Sequence, residues 1–203
     1  MLHKLHRISA LLISLYVLFH LTNHVIALGG VSAHINFMEN LRPIYRAKVI
    51  EPILLFCALF QVTSGIIFIA RRWGKRRGFF DHAQAISGGY LAFFLMFHVS
   101  AVMYGRLVQG LDTNFFFAAA GLQPGAYPWF FLPYYTLAVV AYFTHLACGL
   151  RWILREHLST QTLNRAAGGV MTVGLLLGLT IVSTFSGAIY PIALPNEYCL
   201  NKC

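Results

Sequence analysis

The side chains able to do chemistry in this 203-residue chain are its nine histidines, and four of them lie inside long apolar runs: His20, His24, His98 and His145. An imidazole at hydrocarbon depth needs a partner, so each is a candidate functional group. If the runs are helices crossing a bilayer in alternation, His20 and His98 fall at one level, in the half where the first run ends. His145 then falls at the other level. Two neutral imidazoles facing each other from separate helices suit the two axial positions of a six-coordinate haem iron. The same rings could instead hydrogen-bond helix to helix. A zinc site lacks the cysteine or carboxylate that would complete it. His24, one turn beyond His20, reads as a polar neighbour at the rim. His3, His6, His34, His82 and His157 lie near or outside the ends of the runs, where snorkelling or headgroup contact accounts for them. At the level of His145, Gln61 stands opposite. Gly65 and Gly149 follow Gln61 and His145 by four residues each, on the same helix faces, and leave room for a flat ring or for close packing. Arg46, Lys48 and Arg106 are the cations placed to meet haem propionates on the near side.

The elements that must hold these groups follow from composition. Hydrophobic residues make up 58% of the chain and charged residues 10%, where a soluble domain carries about a quarter charged. So few charges could not cover a soluble surface, and disorder, collagen, coiled coil and a disulfide scaffold are excluded as well. Five segments are long enough to span a bilayer: Ser9 to Leu28, Ile50 to Ala70, Ala83 to Tyr104, Phe130 to Leu154 and Ala167 to Tyr190. The expectation is an all-α fold, one integral membrane domain over 1–203 built as a bundle of five transmembrane helices. The first run contains His20, Asn23 and His24 and is too long for a signal-peptide core, so it reads as a retained helix.

Net charge is +9, from 15 Lys and Arg against 6 Asp and Glu. In a membrane protein such an excess reports orientation and anionic headgroups rather than nucleic acid. The basic residues favour an N-terminus inside and a C-terminus outside, with the cluster Arg71, Arg72, Lys75, Arg76 and Arg77 anchoring an inner loop or offering a docking surface to a soluble partner. Two outer connections are long. The second, from Leu107 to Trp129, carries Asn114-Phe-Phe-Phe-Ala-Ala-Ala, which predicts a short interfacial helix. Pro124, Pro128 and Pro133 mark its turn into the fourth span. Cys57 and Cys148 read as small core residues, whereas Cys199 and Cys203, in a polar tail, could pair in an oxidising compartment.

Several pieces in order carry a resemblance: Leu5-His6-Arg7, Phe19-His20-Leu21, Phe37-Met38-Glu39-Asn40-Leu41, Gly65 with Ile69-Ala70, Phe97-His98-Val99, Asp112-Thr-Asn-Phe, and His145 followed by Gly149-Leu150. Together they resemble the cytochrome b membrane anchor of succinate dehydrogenases and fumarate reductases, in its single-chain, five-helix, two-haem form (cytochrome b558-like). The resemblance implies haem b held at the outer level by His20 and His98. It matches His145 to one ligand of an inner haem and puts Gln61, a poor haem ligand, where the other histidine belongs. It also implies an iron–sulfur subunit and a flavoprotein on the inner face, a quinone as electron partner, and residence in a bacterial inner membrane.

Two functions follow from that departure. One is a succinate:quinone oxidoreductase-like anchor, in which His6, Arg7, Ser9 and His82 are candidates for a quinone site. The other is a relative recruited as a structural or electron-transfer subunit of another membrane complex, with one haem or none. A haem-free packing protein is a third reading. No serine–histidine–aspartate set, nucleotide loop or zinc motif stands out, so hydrolytic chemistry is not expected, and the chain alone is not expected to be a catalyst.

Overall fold

The computed structural model describes residues 1–125 and 127–199. Among the described residues the chain is all-helical, with α1 (Leu2–Ile26), α2 (Val31–Tyr45), α3 (Ile50–Arg72), α4 (Gly78–Leu107), α5 (Phe115–Ala119), α6 (Pro128–Leu154) and α7 (Thr160–Phe185). Five of them, α1, α3, α4, α6 and α7, are long and apolar enough to cross a membrane. This is a multi-span membrane protein.

The five long helices form a ring. α1 packs on α3, α3 on α4, α4 on α6 and α6 on α7, and α7 closes back on α1. α1 and α4, which carry His20 and His98, therefore face one another across the bundle instead of packing side by side. The α6–α7 seam is the closest, and small residues make it so. A Cβ on Gly174 would run into the Phe143 side chain, and one on Gly178 would sit 3.2 Å from the Thr136 carbonyl oxygen. These two glycines, four residues apart on one face of α7, let the helix backbones approach as small residues do in lipid.

Several helices reach beyond the apolar runs. α1 starts at Leu2 rather than Ser9, and α4 covers Gly78 to Leu107, because once the ladder of backbone hydrogen bonds is running it continues into the polar flanks. α7 is displaced from expectation. It begins at Thr160, where Ser159 caps it by accepting from the Thr162 amide at 3.2 Å. It stops at Phe185 rather than Tyr190, because Gly187 takes a left-handed φ of 82° just past its end.

Between the spans, α2 and α5 and the segment after α7 cover one end of the bundle, called the lid end below. α5 is the expected short helix, and Asn114 caps it, its Oδ1 accepting from the Phe116 amide at 2.9 Å. It is not surface-bound: Phe115 and Ala119 are fully buried, and with Leu21, Ala27, Leu122, Val139, Ile181 and Phe185 they form the apolar core of that end. Pro128 opens α6 and Pro133 lies within its first turns. The lid is tied to the bundle by Tyr190, whose hydroxyl donates to the Ala27 carbonyl at 2.7 Å, and by Tyr198, which donates to the Asp112 carbonyl at 2.9 Å. The opposite, basic end carries Arg71 to Arg77. Arg71, Arg72, Lys75 and Arg77 are exposed there, and Arg76 lies over the Trp73 ring. Cys57 and Cys148 are buried and free. Cys203, the partner envisaged for Cys199, and Lys202 lie outside the described residues.

Candidate functional site

The ring of helices brings the histidines to two levels. At the lid end, His20 projects from α1 and His98 from α4, with ring centres 6.1 Å apart and ring planes at 61°. Two imidazoles on opposite sides of one iron, each with about 2.0 Å from metal to nitrogen and about 1.1 Å from nitrogen to ring centre, have centres about 6 Å apart. The observed separation meets that requirement. His98 is stacked on Phe94 at 4.9 Å, and among the described residues neither of its ring nitrogens has a hydrogen-bond partner. Tyr16, one turn before His20, stacks on His20 with ring centres 5.7 Å apart.

His20 has further company. Its Nε2 lies 3.2 Å from His24 Nε2, and His24 Nδ1 lies 3.4 Å from His34 Nε2. His34 Nε2 also accepts from Asn23 Nδ2 at 3.1 Å. His34 was expected near the surface of a connection and is instead 2% exposed, sitting on α2 with its ring edge-on to Phe115 and Phe185. Burial, with His20 adding to it, pushes the His34 imidazole down to about 4, so it is neutral at physiological pH. The signal for this lay in the sequence: Val31, His34, Ile35 and Met38 fall at i, i+3, i+4 and i+7, a stripe that turns His34 toward the core. His24 is correspondingly a link inside a buried chain rather than a rim residue.

No protein-family model, curated protein or solved structure matches this chain.

At the basic end the residues do not form a ligand pair through Gln61. The Gln61 amide nitrogen donates to the His6 carbonyl and to Ser9 Oγ, both at 2.7 Å, which cross-links α3 to α1. His6 is drawn into the bundle by the same contact zone, its Nδ1 2.7 Å from Ser64 Oγ, instead of lying at a headgroup. His145 is met by α4, with Gln84 Nε2 3.1 Å from its Nε2 and the Gln84 carbonyl 3.1 Å from its Nδ1. A bis-imidazole pair at this level has no partner for His145 at position 61. Nor is Gly149 the residue that makes room, since a Cβ there would meet nothing within 4 Å. The glycine that does so is Gly88 on α4, where a Cβ would sit 2.9 Å from His145 Cε1.

The arginines divide in the same way. Arg106 is bound to Glu51 as an ion pair, and Arg42 to Asp112 at 2.9 Å. Arg46 has no carboxylate. It donates to Thr113 Oγ1 at 2.8 Å, its Nε is buried without a partner, and burial together with the Arg42 and Arg106 charges pushes it below its usual range. Tyr16, stacked on His20, lies within electrostatic reach of Arg46. Of the three cations expected to meet an anionic group here, Arg46 and Lys48 have no ion pair among the described residues, and Arg46 is the less exposed of the two. Of the quinone candidates, His6 and Ser9 meet at Gln61, whereas Arg7 lies over Trp152 and His82 is exposed near the start of α4.

Among the described residues no group of three or more His, Cys, Asp or Glu side chains is placed to hold a metal ion. A metal at the lid level would depend on two imidazoles and a macrocycle. The donor set, its spacing and Arg46 fit haem b; Gln61 and His145 do not fit a second one.

Proposed function

We propose that this protein is a haem b-binding membrane electron carrier, holding one haem between His20 and His98. The observation that carries the reading is the 6.1 Å separation of two imidazoles on helices that face each other across the bundle. When bound, the group supplies reversible one-electron chemistry at iron. The protein's part is ligation by His20 and His98, an apolar wall from Phe94 and Tyr16, and charge from Arg46 for the propionates. The wider reading, from the sequence resemblance, is an anchor of the succinate dehydrogenase or fumarate reductase type. Its basic end would receive an iron–sulfur subunit and a flavoprotein on the inner face of a bacterial inner membrane, and a quinone would exchange electrons with it.

One observation favours a second reading. Gln61 is committed to α1, which leaves the level next to the soluble partners without a bis-histidine pair. That suits a relative recruited as an electron-transfer or structural subunit of another membrane complex. Haem quantified per chain in native membranes tests both. We expect one haem, lost in His20→Ala and in His98→Ala and kept in His145→Ala. No haem, or loss in His145→Ala alone, overturns the assignment. Reduction of the haem by succinate, with two soluble subunits co-purifying, selects the first reading over the second.

A further inference from the structure

The buried polar side chains of the lid end fix one another's protons. An amide nitrogen only donates, so at the 3.1 Å contact Asn23 donates and His34 Nε2 accepts. A neutral imidazole with a bare Nε2 carries its hydrogen on Nδ1. His34 Nε2 also lies 3.4 Å from His24 Nδ1, with the ring planes only 16° apart and the ring centres 5.5 Å apart. Since a ring nitrogen lies about 1.1 Å from its ring centre, those figures put both nitrogens close to the line joining the rings, the alignment a hydrogen bond needs. With His34 accepting, His24 donates from Nδ1, and its own Nε2 is bare. That bare nitrogen faces His20 Nε2 at 3.2 Å, so His20 is the donor there and keeps its lone pair on Nδ1.

Turning the Asn23 amide over would reverse the chain. Oδ1 would then accept from His34 Nε2, every hydrogen would move to the other nitrogen, and the His20 lone pair would pass to Nε2. The reversed chain strands both amide N–H donors and the bare His34 Nδ1 in a site 6% exposed, so the number of unmet groups is the same and the orientation of the amide decides. The direction described is the one the amide orientation in the structure gives; it leaves Asn23 Oδ1 and the His34 Nδ1–H buried without a protein partner, together with the second N–H of the Asn23 amide. Each stranded atom is one that a single internal water could satisfy.

We propose that Asn23 is a positioning residue that acts through His34 and His24 to set which ring nitrogen of His20 carries the lone pair. The consequence for iron, that the lone pair on offer is fixed before any ligand arrives, rests on the bis-imidazole reading above. The chain itself does not. A metal-ligating histidine is usually oriented by an acceptor for its other N–H, and here His24 is that acceptor.

The test uses the full chain with 15N-labelled histidine in lipid nanodiscs, produced without haem, at neutral pH. Imidazole 15N shifts separate protonated from bare ring nitrogens, and loss of a signal in His20→Gln identifies His20. The wild type should carry its His20 hydrogen on Nε2. Asn23→Asp, similar in shape but an acceptor when ionised, should lower the ratio of Nε2–H to Nδ1–H at His20 at least about tenfold, equivalent to about 1.4 kcal/mol. Asn23→Leu should bring both tautomers into view. The His145 signals, from the other end of the bundle, should be native in both variants and report intact folding. An unchanged His20 tautomer in a folded variant overturns the proposal. Haem content is read separately, so an Asn23-dependent tautomer without haem would sink the iron reading and keep this one.

Discussion

Replacing Gln61 by leucine should loosen the bundle at its basic end by about 1–2 kcal/mol and leave the lid end untouched. The change removes two hydrogen bonds made by one amide group, to the His6 carbonyl and to Ser9 Oγ at 2.7 Å each. A hydrogen bond contributes about 0.5–1.5 kcal/mol net in water, and cycles between membrane helices average about 0.6 kcal/mol. The lower half of the combined range applies, because neither former partner is stranded. Ser9 Oγ keeps its contacts to the Leu5 and His6 carbonyls at 3.0 and 3.2 Å, and leucine fills most of the vacated volume. Unfolding in mixed micelles, titrated with a denaturing detergent and followed by tryptophan fluorescence, gives the difference. The haem content of Gln61→Leu should equal that of the wild type. A stability change below about 0.3 kcal/mol would mean that the α1–α3 cross-link contributes nothing measurable. Loss of haem in Gln61→Leu would refute the separation of the two levels on which the one-haem assignment depends.

Two further outcomes follow from neighbouring geometry. Gly88→Ala places a Cβ 2.9 Å from His145 Cε1 and should cost about 1–3 kcal/mol in the same titration. Gly149→Ala, where nothing lies within 4 Å, should be neutral or stabilise by up to about 1 kcal/mol through helix propensity; a costly Gly149→Ala would contradict the open space beside it. His34 gives a pH dependence. Burial lowers it from its ordinary 6.5 to about 4 in the folded protein, so between these values the unfolded chain binds the extra proton. Its contribution is complete above pH 6.5 and is lost as pH falls toward 4, by about 3 kcal/mol in all. Thermal melts across that interval should show a smaller decline for His34→Gln than for the wild type, and equal declines would exclude His34 as the source.

How far the chain could be read in advance differs between its spans and its polar groups. The five spans were visible because lipid demands long apolar runs, and α5 was visible as a short helix in the run of aromatics and alanines that follows Asn114, although its capping by Asn114 was not. The end of α7 was misplaced because hydropathy alone continues to Tyr190, while the stop is made by Gly187 adopting a conformation that other residues resist. Partner choice was the harder part. That Glu51 would neutralise Arg106, that Gln61 would bind α1 rather than face His145, and that Gly88 rather than Gly149 would accommodate the His145 ring all depend on contacts between residues 55 or more positions apart. Local pattern carries no information about them. His34 lay between these cases: it was expected near the surface, although the stripe on α2 carried the signal that it turns inward, and nothing local shows that Phe115 and Phe185 enclose it.

The two polar levels of the bundle answer the same physical demand in opposite ways. A polar side chain in an apolar interior must find a partner, and the basic end finds its partners within the chain: Gln61 to α1, His6 to Ser64, and His145 to Gln84. A ligand placed there would have to break those contacts and replace each of them. The lid end is arranged differently. Its hydrogen bonds run along one side, from Asn23 through His34 and His24 to His20, whose ring lies 6.1 Å from that of His98. His98 is left with two ring nitrogens that no described residue satisfies, and Arg46 with a charge that no carboxylate neutralises. On the proposed reading, a flat, anionic, iron-bearing ligand would meet both at once, through a nitrogen bond to His98 and a carboxylate on Arg46. The same comparison explains why one haem is the expectation for a chain with two levels of histidine: at the second level His6, Gln61 and His145 already have hydrogen-bond partners within the chain.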